Sequence, residues 1–331
     1  MQRPMLRSLR LMLLAWVATV WGRLRGRPRH PRWPFVFELM VRFLRRDWDE
    51  SAAWPFERLR AEVDGRPYPR DFAKRVRLEP TTLGGVPVTR FVPEGAQRGK
   101  LLVFFHGGSY IYGSAKTTHA ELIARLAFES GLEAVGVDYR LAPEHPYPAQ
   151  LQDALAVFEA CVAAGTPEDA IVVAGDSAGG NLALELQLAL RDRGRPQARA
   201  AVLISPWSDL EMPGASFQDN EPLDYGTREV LLRQAKAFAG DLPLSDARLS
   251  LVHARLEGLT PTLVTVGEAE IPRDDILALA ARLEQAGVAT TLHRARDMPH
   301  NAPVFAAYHP EGKAALDAIV AFLKAQLRSA A

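Results

Sequence analysis

The stretch Gly175-Asp176-Ser177-Ala178-Gly179 constrains the fold of this chain more than any other. A run with β-branched residues, 170–174, precedes it and an apolar run, 181–190, follows it, which predicts a buried strand leading into a helix. Glycine on each side of the serine permits a sharp turn, because a side chain there would collide with neighbouring backbone. The turn is expected to hold the serine hydroxyl above the sheet, beside the free N–H groups of the helix. The alternative is a glycine-rich turn with an idle serine.

Strands and helices alternate through most of the chain, which predicts an α/β fold with a doubly wound, mostly parallel sheet. An antiparallel hairpin around the Gly84-Gly85 turn comes first, and a helical insertion interrupts the alternation at about 206–250. The expected strands cover 76–78, 86–92, 101–105, 132–138, 170–175, 200–205, 262–266 and 289–295. Besides the helix after the serine, the expected helices of this part cover 116–130, 149–164, 227–239, 273–286 and 311–328.

Residues 1–70 show no strand pattern, and we expect them to form an N-terminal helical cap or arm on a catalytic domain at 71–331. Two helices are expected in this arm, one over the uncharged run Leu11 to Trp21 and one over Phe35 to Arg46. The first run would be about 16 Å long at about 1.5 Å per residue. A bilayer core is about 30 Å thick, so the run is too short to span it.

Charge is distributed unevenly along the chain. The net charge of +1 argues against nucleic acid as the main partner. Residues 1–46, however, hold eleven arginines against one acid, Glu38. The first helix therefore has two interpretations: it caps the domain, or it lies in a membrane interface, attracted to anionic lipid by the arginines.

The chain has a single cysteine, Cys161, which excludes an internal disulfide and fits a reducing, cytoplasmic compartment. Cys161 shares a helical face with apolar residues, so we interpret it as a small buried hydrophobe and not as a nucleophile. The sequence leaves open whether the chain forms a homodimer.

The residues His106-Gly107-Gly108-Ser109-Tyr110 directly follow the strand 101–105. In parallel sheets of this kind ligands lie at the carboxyl ends of the strands. Adjacent glycines there let backbone N–H groups approach a substrate oxygen closely, and the N–H of Ala178, after the serine, is a third donor. These residues therefore predict an oxyanion hole made by Gly107, Gly108 and Ala178. A simple strand-ending turn is the alternative.

A serine hydroxyl becomes a useful nucleophile when a base removes its proton, and histidine is the usual base at neutral pH. In this arrangement the chain order is serine, acid, histidine. His300 lies in the loop after the last strand and is the predicted base. His293 lies within that strand and His309 at the start of the last helix, so we expect structural or solvent-facing roles for both.

The acid is expected after the strand 262–266, where several carboxylates follow one another. Asp274 and Asp275 lie in the first turn of a helix, where the helix dipole already explains an acidic residue. We expect Glu268 to lie too close to the end of the strand for this role. Glu270 is therefore the predicted partner of His300, with Asp274 as the alternative.

Together these motifs resemble the hormone-sensitive-lipase family of α/β-hydrolases, which includes the bacterial family IV esterases. The resemblance rests on His106-Gly107-Gly108, on the serine motif extended to Gly180, and on the block 138–149, DYRLAPEHPYPA. It covers roughly 72–328 and implies an α/β-hydrolase fold with a helical cap. Family members usually take the acid from the pattern Asp-Pro-Leu-x-Asp; here Glu270 stands at its first position and Asp274 at its last. Ser109 replaces the third glycine of the oxyanion loop.

The resemblance implies hydrolysis of short- to medium-chain carboxylic esters through an acyl-enzyme, with no metal or organic cofactor. Ser177 would attack, His300 would move the proton and Glu270 would orient His300. The expected substrate contacts are Ser109, Tyr110, Asp176 and Trp207, with Trp207 and Phe217 limiting the acyl pocket. Two other functions stay open: a membrane-peripheral lipid deacylase or lipase, and a non-catalytic ligand receptor of the same fold, although such receptors lose the histidine.

Overall fold

The computed structural model describes residues 2–66 and 68–327. Residues 1 and 67, within the predicted arm, and 328–331, at the end of the predicted catalytic domain and its last helix, lie outside the described residues. One eight-stranded sheet organises the molecule, in the order β1-β2-β4-β3-β5-β6-β7-β8. The strands are β1 (Val76–Leu83), β2 (Val86–Pro93), β3 (Leu101–Phe105), β4 (Glu133–Val137), β5 (Ile171–Asp176), β6 (Ala200–Ile204), β7 (Thr262–Gly267) and β8 (Thr290–Ala295).

The sheet has the predicted mostly parallel topology. Strand β2 pairs antiparallel with β1 and with β4. The pairs from β4 through β3, β5, β6 and β7 to β8 are all parallel. The carboxyl ends of β3, β5, β6, β7 and β8 therefore meet along one edge of the sheet, where a site is expected.

Ten α-helices surround the sheet in the part of the chain that the structure describes. They are α1 (Gln2–Leu24), α2 (Phe35–Ser51), α3 (Phe56–Asp64), α4 (Ala120–Ser130), α5 (Ala149–Ala163), α6 (Ala178–Asp192), α7 (Ser216–Asp219), α8 (Arg228–Ala239), α9 (Arg273–Gln285) and α10 (Pro310–Gln326). Helices α7 and α8 belong to the insertion predicted at about 206–250. Helix α3 was not predicted, because prolines and glycines dominate its surroundings.

The core lies on both faces of the sheet. In β3, the side chains of Val103 and Phe105 pack into one apolar cluster and those of Leu102 and Phe104 into the other. This split follows from the alternation of side chains across a strand. Strands covered by helices on both faces are continuously apolar, which is why the sequence located the central strands to within a residue or two.

Helix α1 is longer than the predicted run. It has 23 residues and is about 34 Å long at about 1.5 Å per residue. Its arginines do not end it, because Arg7 donates to Asp47 Oδ1 and Arg10 to Glu50, both on α2. No helix within 2–66 or 68–327 is both long and apolar enough to cross a membrane.

The N-terminal arm packs on the loop that follows β8. Trp33, Phe37 and Val41 form an apolar cluster with Phe305 and Ala302. Trp33 Nε1 also donates a 2.8 Å hydrogen bond to the carbonyl of Asp297. The arm therefore supports the segment in which His300 lies.

Candidate active site

Ser177 occupies a tight turn between β5 and α6. Its φ is 54°, a left-handed conformation that is costly for a residue with a side chain. A Cβ at Gly175 would lie 2.2 Å from the carbonyl oxygen of Gly179, and one at Gly179 would lie 2.0 Å from that of Phe105. Both glycines are therefore sterically required. The Ser177 N–H donates to the carbonyl of Ile204 at 2.8 Å, which holds the turn against β6.

The Ser177 side chain is half-buried between the fully buried Asp176 and Ala178. Within the described residues its hydroxyl forms no hydrogen bond, and catalytic hydrogen bonds often tighten when substrate binds. Its place at the start of α6 puts it beside helix N–H groups that have no intrahelical acceptor.

His300 and Glu270 form a close pair, as the chain order predicts. His300 Nδ1 lies 2.6 Å from Glu270 Oε2, and Glu270 is fully buried. Burial lowers the pKa of His300, but the hydrogen bond and the negative charge of Glu270 outweigh it, so the pKa lies above its ordinary value of 6.5. Nε2, the other ring nitrogen of His300, takes no part in this bond and is left available for proton exchange.

The second oxygen of the Glu270 carboxylate is also held. Oε1 accepts hydrogen bonds from the N–H of Gly267 at 2.6 Å and from the hydroxyl of Ser205 at 3.1 Å. A buried carboxylate needs such donors, since an unpaired charge there would be costly. These donors fix the carboxylate in the orientation that meets His300.

Asp274, the alternative acid, has other partners. Its Oδ2 accepts from the N–H of Ser216 at 2.9 Å, and its Oδ1 accepts from Arg273 Nε at 2.9 Å. Asp274 lies in the first turn of α9, where the dipole favours a carboxylate. The structure thus brings Glu270, and not Asp274, to His300.

The other two candidate histidines have structural surroundings. His309 precedes α10 and its Nδ1 accepts from the N–H of Glu311 at 3.2 Å, a helix cap. His293 lies within β8, on the sheet and not at its carboxyl end. Cys161 is buried, as expected, and burial raises the pKa of its thiol to about 11.

The loop after β3 corrects one predicted donor. The N–H of Gly107 donates to Asp176 Oδ1 at 2.9 Å and also approaches His119 Nε2 at 3.2 Å. A Cβ at Gly107 would lie 2.4 Å from Asp176 Oδ2, so this glycine is required for close packing. Its N–H therefore anchors the loop and is not free to bind an oxyanion.

The next two residues present free amides. Within the described residues, no acceptor is bonded to the N–H of Gly108 or Ser109, nor to that of Ala178 at the start of α6. Gly108 has a φ of 118° and Ser109 a φ of 54°, so the backbone turns sharply at both. The donor set that the loop offers is thus shifted by one residue from the predicted one.

The predicted substrate contacts have different environments. Asp176 is fully buried and its carboxylate is bonded to Gly107, His119 and Asn301, so it is a positioning residue and not a substrate contact. Tyr110 is also fully buried, with its ring stacked 3.8 Å from that of Phe238. The prediction of direct substrate contact is therefore wrong for Asp176 and unsupported for Tyr110.

Trp207 lies directly beside the serine turn. Its backbone N–H donates to the carbonyl of Ser177 at 3.0 Å, and its side chain is buried. The indole Nε1 has no hydrogen-bond partner among the described residues. Phe217 is likewise buried, on α7 of the insertion.

Two positioning residues, Asp224 and Ser205, were missed by sequence reasoning. Asp224, in the insertion, accepts the N–H of His300 at Oδ1 (3.1 Å) and the N–H of Ile271 at Oδ2 (2.8 Å). Ser205, directly after β6, accepts the N–H of Asn301 at 3.2 Å. The one available signal was that Ser205 follows the carboxyl end of a parallel strand.

The block 138–149 holds the oxyanion loop from behind. The Tyr139 hydroxyl donates to the carbonyl of His106 at 2.6 Å, and the two rings stack with centroids 4.3 Å apart. Asp138 Oδ1 accepts the N–H of Ala115 at 2.7 Å. The block therefore positions the loop after β3.

One group of side chains in the described part of the chain offers three ligand atoms within 4.8 Å of one another: Asp209, Glu211 and His253. Asp209 is buried, but its Oδ1 already accepts from Ser250 Oγ and from the N–H of Glu211. An acidic group of this kind does not by itself indicate a metal.

The chain is similar in sequence to known hydrolases. Residues 102–304 match the model of a family described as having the α/β-hydrolase fold. An acetyl-hydrolase from Streptomyces hygroscopicus is 36% identical over 243 residues, covering 71% of this chain and 78% of the relative. An esterase from Acinetobacter venetianus is 34% identical over 249 residues, covering 75% of this chain and 82% of the relative.

Solved structures agree with the sequence comparison. An esterase described as a member of the bacterial hormone-sensitive lipase family is 34% identical, with a TM-score of 0.79 over 86% of this chain and 97% of that one. A hormone-sensitive lipase from a metagenome library is 31% identical, with a TM-score of 0.81 over 87% of this chain and 98% of that one. The chain therefore belongs to the hormone-sensitive-lipase family of α/β-hydrolases, as its motifs predict.

Proposed function

We propose that the chain is a serine carboxylesterase that hydrolyses short- to medium-chain esters through a Ser177–His300–Glu270 triad. The observation that carries this proposal is the 2.6 Å bond between His300 Nδ1 and the buried Glu270 carboxylate. A buried carboxylate in that position holds the imidazole in one tautomer and stabilises the imidazolium formed during attack. Relatives named esterase and acetyl-hydrolase support the same chemistry.

In the proposed mechanism Ser177 Oγ attacks the carbonyl carbon of the ester while His300 Nε2 takes its proton. The negative charge on the carbonyl oxygen is held by the N–H groups of Gly108, Ser109 and Ala178. His300 then gives the proton to the leaving alcohol, and the acyl group stays on Ser177. Water attacks this acyl-enzyme with His300 again as base, releasing the acid and restoring the hydroxyl.

Turnover of p-nitrophenyl butyrate by pure protein tests this proposal. Ser177→Ala should lower kcat on the order of 10⁴-fold, because the three residues of a triad act together and the loss of one disables the others. Ser130→Ala is a matched control, since this buried serine ends α4 and its hydroxyl donates to the carbonyl of Leu126. Wild-type protein without turnover would favour the receptor function, and a Ser177→Ala variant with more than a few per cent of wild-type kcat would refute the nucleophile.

The acyl-chain preference rests on the aromatic residues around the serine turn. The backbone N–H of Trp207 donates to the carbonyl of Ser177, which fixes the buried indole rings beside the serine turn. Bulky rings fixed there leave little room for a long acyl chain. A series of p-nitrophenyl esters from acetate to palmitate should give the highest kcat/KM at the short end; an optimum at palmitate would favour a lipase.

The exposed surface of helix α1 indicates that the protein contacts a membrane in addition to acting as an esterase. Leu11, Ala15 and Thr19 face the protein and are buried. The opposite face is apolar and exposed along its whole length: Leu6, Leu9, Leu13, Trp16, Val17, Trp21 and Leu24. A helix with apolar residues on both faces needs a covering partner on the second one.

Exposed Arg25 and Arg27 follow this face, so its charge is complementary to an anionic lipid surface. We therefore propose that the exposed face of α1 binds an anionic membrane surface on the cytoplasmic side. Wild-type protein should sediment with phosphatidylglycerol vesicles more than with phosphatidylcholine vesicles, and high salt or carbonate should release it. Leu13→Glu should abolish sedimentation, whereas Phe128→Glu, at an exposed phenylalanine on α4, should not. If Leu13→Glu instead converts a dimer to a monomer without changing sedimentation, a second copy covers the face.

A further inference from the structure

A cavity of about 940 Å³ lies between the N-terminal arm and the insertion, apart from the serine turn. Its charged lining residues are Arg29, Arg42, Arg45 and Arg228 with Asp49 and Glu221. The first three arginines come from the arm and its α2 helix, whereas Arg228 begins α8 of the insertion. The cavity is therefore rich in guanidinium groups that two separate parts of the chain supply.

Acidic partners compensate only some of these arginines. Arg45 Nε donates to Asp49 Oδ1 and its Nη2 to Glu221 Oε1, and Arg42 donates to Glu38. Within 2–66 and 68–327, by contrast, neither Arg29 nor Arg228 forms an ion pair. Arg228 donates to the carbonyls of Met212 and Glu211.

Arg29 is the least satisfied of the four. Its Nη2 donates to the carbonyl of Asp224 at 2.6 Å, but its buried Nε has no hydrogen-bond partner among the described residues. Burial and then the like charges of Arg42 and Arg45 lower the pKa of the Arg29 guanidinium to about 10, and the negative charges of Asp224 and Glu38 offset this only in part. A buried guanidinium that forms no ion pair and lies beside two others is stabilised when an anion joins them.

We propose that this cavity is a binding site for an oxyanion of the phosphate class, which holds the arm and the insertion together. Guanidinium groups bind phosphate oxygens in pairs of parallel hydrogen bonds, and several arginines around one cavity fit a doubly charged group better than a single carboxylate. The phosphate comes from a soluble phosphate compound or from a phospholipid headgroup, and both have the same chemistry at the site.

The position of the cavity gives the anion a defined structural role. The guanidinium of Arg29 donates to the backbone carbonyl of Asp224, and the carboxylate of Asp224 accepts the N–H of His300. An anion that orders Arg29 therefore stabilises the segment of the insertion that supports the His300 loop. Binding should raise the thermal midpoint of the folded protein, because a ligand that binds only the folded state stabilises it.

Calorimetric titration of the full chain with inorganic phosphate, at ionic strength held constant with chloride, tests the proposal. Wild-type protein should bind phosphate and show a raised Tm. Arg45→Gln and Arg228→Gln, one from each wall, should each weaken binding by roughly tenfold, the loss expected for one hydrogen bond to a charged group. Arg125→Gln is the matched control, because Arg125 pairs with Glu129 one turn along its helix as Arg45 does with Asp49.

Esterase turnover and a cooperative unfolding transition show that each variant is folded, so that weaker binding is not lost structure. Equal effects of phosphate and chloride on wild-type Tm would overturn the site, as would equal phosphate affinity in Arg45→Gln and Arg125→Gln. Phosphatidate vesicles identify the source: if free phosphate competes with them for wild-type protein and not for Arg45→Gln, the ligand is a headgroup. If wild type and Arg45→Gln bind the vesicles equally, while calorimetry shows weaker phosphate binding in Arg45→Gln, the ligand is a soluble phosphate.

Discussion

Asp176 Oδ2 accepts a 2.7 Å hydrogen bond from Asn301 Nδ2, so the residue before Ser177 is joined to the residue after His300. The other oxygen of the same carboxylate accepts the N–H of Gly107. One buried side chain thus ties together the serine turn, the histidine loop and the loop after β3. These three segments come from distant parts of the chain, and none of them is held to the others by local structure alone.

Asp176→Asn should therefore lower kcat by about 10- to 100-fold with little change in KM. An amide replaces one acceptor oxygen by an N–H₂ group, which repels either the Gly107 N–H or the Asn301 amide, and small displacements of catalytic groups cost rates of this size. Steady-state kinetics with p-nitrophenyl butyrate measure the effect. Asp169→Asn, at an exposed carboxylate, is the control; equal kinetics in the two variants would remove the positioning role of Asp176.

Glu270→Gln should lower kcat by a factor approaching about 10⁴, the scale seen when a triad acid is neutralised. The amide cannot stabilise the imidazolium of His300. Asp274→Asn removes a carboxylate at the start of α9 instead, which costs roughly 0.3–1 kcal/mol of stability with little change in kcat. The variants are to be compared at equal folded fractions. A larger kcat loss in Asp274→Asn would show that the acid lies one helical turn further along the chain.

The pH dependence of kcat/KM reports the pKa of His300 in the free enzyme. A general base must be neutral, so activity falls as pH drops through that pKa. Since Glu270 raises the pKa, the midpoint of the acid limb should lie above the ordinary value of 6.5. In Glu270→Gln the residual activity should have an acid limb shifted to lower pH. An identical limb in both proteins would mean that Glu270 does not act on His300.

Much of this site was predictable because its parts follow buried parallel strands. Apolar runs located the strands, and the carboxyl ends of β5, β7 and β8 supply Ser177, Glu270 and His300 in that order. Helix-dipole reasoning also separated Glu270 from Asp274, since the structure gives Asp274 backbone and arginine partners at the start of α9.

The rest depended on contacts between residues far apart in sequence. Gly107 was assigned to the oxyanion hole because no local pattern reveals that Asp176, 69 residues away, takes its N–H. Asp224 lies in a proline-rich insertion without a motif, so its bond to the His300 amide had no sequence signal. The predicted first helix was too short, because it was drawn over the uncharged run Leu11 to Trp21 alone. The sequence gives no sign that Arg7 and Arg10 have acidic partners on α2.

Glu185, buried on α6, should make stability depend on pH. Burial raises the pKa of its carboxyl from the ordinary 4.5 to about 8, while a hydrogen bond with Tyr147 acts in the opposite direction. Between these two values the folded state keeps a proton that the unfolded chain has lost, so stability falls as pH rises. The slope for one proton is at most about 1.4 kcal/mol per pH unit.

Denaturant unfolding of wild type and Glu185→Gln from pH 4 to pH 9 measures this contribution. Gln retains an oxygen for Tyr147 but does not titrate, so the stability advantage of Glu185→Gln over wild type should grow as pH rises. Glu257→Gln, at an exposed glutamate, should show no such trend. A difference between wild type and Glu185→Gln that is constant with pH would contradict the raised pKa.

The central claim, that Ser177 carries the acyl group, is tested most directly by trapping the acyl-enzyme. Wild-type protein is mixed with p-nitrophenyl butyrate, quenched with acid within milliseconds, and analysed by intact-mass and peptide mass spectrometry. We predict one added butyryl group, located on the peptide that contains Ser177, formed together with a burst of one p-nitrophenol per active site. Glu270→Gln should accumulate the adduct more slowly and Ser177→Ala should form none. A butyryl group on another residue, or turnover by wild type with the same adduct in Ser177→Ala, would contradict the account.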